Sequence, residues 1–139
     1  MKLRKPIITA ITAITAATLS TLLIGLVITN LPKPKTLGTM YTSIRSSLGV
    51  PVDEKPKSKI ALLIGADRGF AFKGKDGWYE LYIFDVRVGY QASALAKYKE
   101  RGYIASLGIS KVVVEDNFML ILPDSNTIPE DKLKKILKE

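Results

Sequence analysis

The sequence predicts an α+β protein, with an N-terminal single transmembrane helix followed by a small antiparallel or mixed β-sheet domain with two helices. Three features carry this reading. Residues 7–31 hold no charged side chain. A turn signal, Gly74-Lys75-Asp76-Gly77, separates two runs of β-forming residues. After Gly89 the apolar period changes from that of a strand to that of a helix.

The uncharged run, Ile7 to Leu31, is long enough at 1.5 Å per residue to cross a hydrocarbon core about 30 Å thick. Ile, Leu and Val dominate it, and its Thr hydroxyls can bond back to carbonyls of the preceding turn. The run exceeds a signal-peptide h-region, and no small-x-small cleavage site follows it, so the sequence predicts an uncleaved anchor over 1–31. Thr9, Ala13, Ala17, Thr21 and Gly25 recur at four-residue spacing. Such a small-residue row lets helix backbones approach closely in lipid, which predicts a helix-packing seam for self-association or for docking onto other membrane-complex subunits.

Charge supports the same picture. Of the net +8, the first 56 residues hold +5, and Lys2, Arg4, Lys5, Lys33 and Lys35 flank the uncharged run where anionic headgroups attract cations. The lipid bilayer is therefore an expected partner and nucleic acid is not. The slight charge bias places the N-terminus inside and the domain outside the cytoplasm.

Residues 32–58 read as a Pro/Lys/Ser-rich juxtamembrane linker. Within it Met40, Tyr41, Ile44 and Leu48 fall at helical spacing before Gly49, which predicts a short interfacial helix over 39–48.

The domain is expected over 59–139. Lys59 to Gly65 reads as a buried strand and Gly69 to Lys73 as a second. Trp78 to Val88 is rich in aromatic and β-branched residues and reads as the long partner strand of a hairpin. Ala92, Leu95 and Ala96 lie on one face of a following amphipathic helix that stops near Gly102. A short strand over 103–107 precedes a second hairpin, Lys111–Glu115 and Phe118–Leu122, turned by Asp116 and Asn117. Thr127 and Glu130 have capping-box spacing at the start of a closing helix that turns Leu133, Ile136 and Leu137 inward. Both helices are expected on one face of the sheet.

From Tyr79 onward, the strand, the helix ending in Arg101-Gly102-Tyr103, two strands and a final helix resemble the SPOR family of peptidoglycan-binding domains, which also sit behind single-pass anchors. The resemblance implies glycan binding. The family's closing strand after the second helix has no counterpart here.

The chemistry is narrow. With no Cys and no His, thiolate and imidazole metal sites, disulfides, Cys nucleophiles and His-based triads are absent. Residues Gly69 to Asp76 approach the phosphate-loop pattern, but Asp76 sets a carboxylate where a hydroxyl is needed and Phe70-Ala71-Phe72 reads as strand. Asp85 and Arg87 read as a paired strand end, and Glu115-Asp116 as turn chemistry. Tyr79, Tyr82, Phe84, Tyr90, Tyr98 and Tyr103 read as core. The single Gln and three Asn lean towards a thermophilic source. No catalytic residue, metal ligand, cofactor or small-molecule substrate is expected. The sequence predicts a non-enzymatic accessory or structural subunit of a membrane or envelope assembly. The alternatives are an extracytoplasmic module that binds cell-wall glycan or another polymer, and a virion membrane protein.

Overall fold

A computed structural model describes residues 35–105 and 108–139. The expected anchor, its seam of Thr9, Ala13, Ala17, Thr21 and Gly25, and the basic residues Lys2, Arg4, Lys5 and Lys33 lie outside the described residues. Among the described residues no helix is long and apolar enough to cross a membrane.

In chain order the elements are α1 (Leu37–Arg45), β1 (Lys57–Lys59), a 3-10 turn (Ala61–Ile64), β2 (Arg68–Gly74), β3 (Gly77–Ile83), α2 (Gly89–Arg101), β4 (Tyr103–Ala105), β5 (Ile109–Glu115), β6 (Phe118–Ile121) and α3 (Glu130–Lys138). The strands form one sheet in the order β1-β2-β3-β6-β5-β4, every neighbouring pair antiparallel. The α+β class holds, with an antiparallel sheet and three helices.

Period-two alternation sends successive side chains to opposite faces, so the sheet supports two cores. On the first face Phe72, Tyr79, Leu81, Val113, Phe118 and Leu120 meet α1 and α3 through Met40, Ile44, Leu133 and Leu137. On the second, Tyr82, Val112, Val114 and Met119 meet Leu95 of α2 and Ala61 and Ala66 around the 3-10 turn. The expectation that the helices share one face is therefore corrected. Strands β5 and β6 bury consecutive side chains, Val112 to Val114 and Phe118 to Leu120, on both faces, so each face needs a cover.

The segment expected to be a linker contributes to the first core. Thr36 caps α1 by a reciprocal bond with Thr39, and Leu37, Met40, Tyr41 and Ile44 repeat at the spacing that buries one helix face. That face is covered by Phe72, Tyr79 and Leu137, not by a bilayer interface, and Tyr41 meets Phe72 edge-on at 5.1 Å. The compact unit runs from Lys35 to Glu139, and its two cores are closed by its own side chains.

The run from Lys59 to Gly65 is not a buried strand. Pairing stops at Lys59, the chain tightens into the 3-10 turn, and Gly65 ends it at φ 78°. That left-handed backbone suits glycine, and the Cβ of any other residue would sit 2.8 Å from that of Ala94.

The two hairpins form where turn residues place them: Gly74 pairs with Gly77 across Lys75-Asp76, and Asp116 takes φ 52° between β5 and β6. The capping box expected at α3 is absent. Thr127 instead donates its backbone N–H and its hydroxyl to Asp76 at 2.9 and 2.7 Å, which ties the first hairpin's turn to the approach of α3.

Candidate interaction surfaces

The polar groups that could carry chemistry are held in structural bonds. Strand β3 ends at Ile83, so Asp85 lies in the turn before α2, where Arg87 grips it through Nε at 2.9 Å and Nη2 at 2.8 Å. These bonds hold the Asp85 carboxyl well below the ordinary range, at about 2. Buried Gln91 of α2 accepts the backbone N–H of Asp85 at 2.7 Å. The shallow cleft of about 310 Å3 around Asp85, Arg68 and Asn117 is thus lined by a self-paired turn.

Glu80 projects from β3 to the second face, into a trough of about 720 Å3. Its carboxylate accepts the Tyr82 hydroxyl at 2.6 Å and lies 3.2 Å from Lys59 Nζ. Burial first, then this bond to Glu80, pushes the Tyr82 phenol well above its ordinary value. Ile60, Leu63 and Ile64 form one wall of the trough, and Ile104 and Ala105 lie on its lining as well. Glu80 and Asp85 line separate clefts and do not form a carboxylate pair.

Among the described residues no group of three or more acidic side chains is placed to hold a metal ion. Asp116 sits at a turn tip, as its left-handed backbone requires. The near phosphate-loop segment is strand, with Phe72 fully buried and Asp76 engaged by Thr127. Tyr79, Tyr82 and Phe84 are buried, while Tyr90 and Tyr103 are exposed on different elements. Of the predicted membrane-surface cations only Lys35 is described, and its ammonium bonds the Lys138 carbonyl at the end of α3.

What remains open are the two ends of the sheet. At one end, among the described residues, β4 pairs only with β5, and its three residues, Tyr103, Ile104 and Ala105, carry no charge. Beside it Ile109 is 72% exposed, at the rim of a first-face cleft of about 430 Å3 whose apolar wall is Val113, Leu122 and Ile128. Lys111, Asp124 and Glu130 supply its polar margin. At the other end β1 is fully exposed and carries Lys57 and Lys59, and the 3-10 turn beyond it presents Ile60, Leu62 and Leu63. Sequence reading missed the tip because it assigned Ile60, Leu62 and Leu63 to a buried strand, and it missed the β4 edge because Ile109 fell between two expected strands whose order in the sheet was unknown.

No family model matches the chain, and no curated protein or solved structure matches it. The SPOR resemblance gains no support there, and the helices on opposite faces of the sheet differ from the one-faced arrangement expected of the sequence.

Proposed function

We propose that this chain is a membrane-anchored, non-enzymatic accessory or structural subunit, held by residues 7–31 with its domain outside the cytoplasm, and that the β4 edge is its protein-interaction surface. The observation that carries the reading is an uncharged edge strand, open among the described residues, beside an exposed Ile109 and a cleft of mixed polar and apolar lining. An open edge offers unpaired backbone groups to an added strand, and neighbouring pockets then select its side chains. Natural sheets blunt such edges by keeping them short or with lysine or proline. This one is short, three residues, but carries neither lysine nor proline, which leaves it free to receive a brief added strand.

The paired state of Asp85, Glu80 and Asp76 supports a binding role over catalysis, since each carboxylate already has its partners. The test is native purification of the full chain in mild detergent. Retention of a partner at fixed stoichiometry, reduced about tenfold or more by Ile109→Asp or Tyr103→Asp, is the expected result, as truncating an interface anchor costs a kcal/mol or more. A monodisperse monomer without partners overturns the reading. Alkaline carbonate tests the anchor separately, and release of the full-length chain from membranes would remove it.

A further inference from the structure

We propose that the tip formed by β1 and the 3-10 turn is a lipid-docking surface, which rests on an anionic bilayer by inserting Ile60, Leu62 and Leu63 among headgroups drawn by Lys55, Lys57 and Lys59. This inference concerns the end of the sheet opposite β4 and does not depend on the anchor.

Three aliphatic side chains within four residues stand out from the domain, Ile60 at 73%, Leu62 at 71% and Leu63 at 84% exposure. They are held there by a fixed turn. Ala61 and Ala66 are buried beneath it, the Ala66 N–H donates to the Ala61 carbonyl at 3.0 Å, and the Tyr98 hydroxyl donates to the Ile64 carbonyl at 3.0 Å. Contiguous exposed apolar residues on a rigid support mark a surface that something covers.

The surroundings identify what covers it. Lys55, Lys57 and Lys59 alternate along the approach to the tip, all exposed. The antiparallel register carries Lys57 and Lys59 across β2 to the face of β3 that bears Trp78, Glu80 and Tyr82. The Lys57 ammonium lies 5.2 Å over the ring of Trp78, which is itself 47% exposed. Most neighbouring acids are engaged, Glu80 with Lys59 and Tyr82, Asp67 with Arg68 and Glu54 with the Lys73 N–H, and Asp53 stands exposed beside Lys55. Lysine is depleted in protein interfaces and leucine is scarce among their anchor residues. Protruding aliphatics at the end of a row of lysines, with a tryptophan beside the start of that row, match the needs of a bilayer interface: apolar burial, attraction to anionic headgroups, and an amphipathic ring near the boundary. Lysine stems can lie along the inserted surface while their ammonium groups stay in water.

The test uses residues 35–139, the unit that closes its own cores, with vesicles of phosphatidylcholine alone or with phosphatidylglycerol added. Trp78 is the only tryptophan and serves as an internal reporter. The expected result is weak co-sedimentation with the anionic vesicles, a blue shift of tryptophan emission, and loss of both as salt rises. The double variant Leu62→Asp, Leu63→Asp should bind at least about tenfold less. Lys55→Gln with Lys57→Gln, which touches no core residue, should weaken binding several-fold. Equal binding by wild type and the aspartate variant, no binding by wild type, or equal binding to both vesicles overturns the proposal. So does a dimer of the fragment, seen by sedimentation velocity and dispersed by the aspartate variant, because the patch would then belong to a second copy. None of these outcomes bears on the anchor or on Ile109, which lies on the opposite face of the sheet from the trough.

Discussion

The two ends of the sheet solve one problem in opposite ways. Each is a three-residue strand with a single neighbour among the described residues. Strand β1 has no buried side chain and alternates lysine with serine, whereas β4 buries Ile104 and leaves its flanks uncharged. An edge that can be peeled away or charged without cost is a guarded edge, and one rooted in the core yet bare of charge is fitted to receive. The contrast teaches that edge function is set by what a strand buries as much as by what it exposes.

The comparison breaks or sharpens under mutation, most severely at β4. Ile104→Ala removes a side chain packed in the second core and should lower stability by about 2–5 kcal/mol, whereas Ser58→Ala in β1 should shift it by less than about 0.5 kcal/mol. Equal denaturant midpoints for the two variants would abolish the distinction.

A smaller effect is expected next to β1. A Cβ at Gly69, the partner of Lys59, would sit 2.3 Å from the Tyr82 ring, so Gly69→Ala should cost about 1–3 kcal/mol by thermal unfolding. If it costs nothing, the floor beneath β1 is looser than its packing indicates.

Alkaline titration probes the two faces that the edges share. Burial raises the Tyr79 phenol to about 12, and that of Tyr82 rises further, while both unfold to about 10. Groups whose pKa is raised by folding contribute stability that is whole below the unfolded value and lost as pH climbs through the folded one. Stability should therefore fall from about pH 10 upward. Tyr79→Phe should cost about 1 kcal/mol at neutral pH through its lost bond to Asn126, and should soften that fall. Phenolate absorbance and circular dichroism recorded together check this.

The smallest folded-state effect belongs to β1 itself. Lys57→Val with Lys59→Val should leave the melting temperature nearly unchanged but promote concentration-dependent association, read by light scattering. Unchanged scattering would mean that the lysines do not guard this edge.

Both hairpins and the helices α2 and α3 were legible because turn residues and a change of apolar period announce them. Helix α1 was legible as a helix but not as core. The spacing of Met40, Tyr41, Ile44 and Leu48 states that one face is covered, and an amphipathic face reads alike whether sheet or lipid covers it. The 3-10 turn was illegible because a short apolar run has no period to distinguish strand from turn, and only the left-handed Gly65 and the buried Ala61 reveal it. Thr127 had the spacing of a cap, but Asp76, distant in sequence, competed for it. The seam and basic flank expected near the N-terminus fall, except for Lys35, outside the described residues. The open edges could be found only once the strand order was known.

The bond between Lys35 and the Lys138 carbonyl joins positions 103 residues apart, and the cores of α1 and α3 are continuous. During synthesis, α1 can meet Phe72 and Tyr79 of β2 and β3 early, but the part of its face that packs on α3 stays uncovered until the last element has been made. A chain so arranged closes late and through distant contacts, which slows folding.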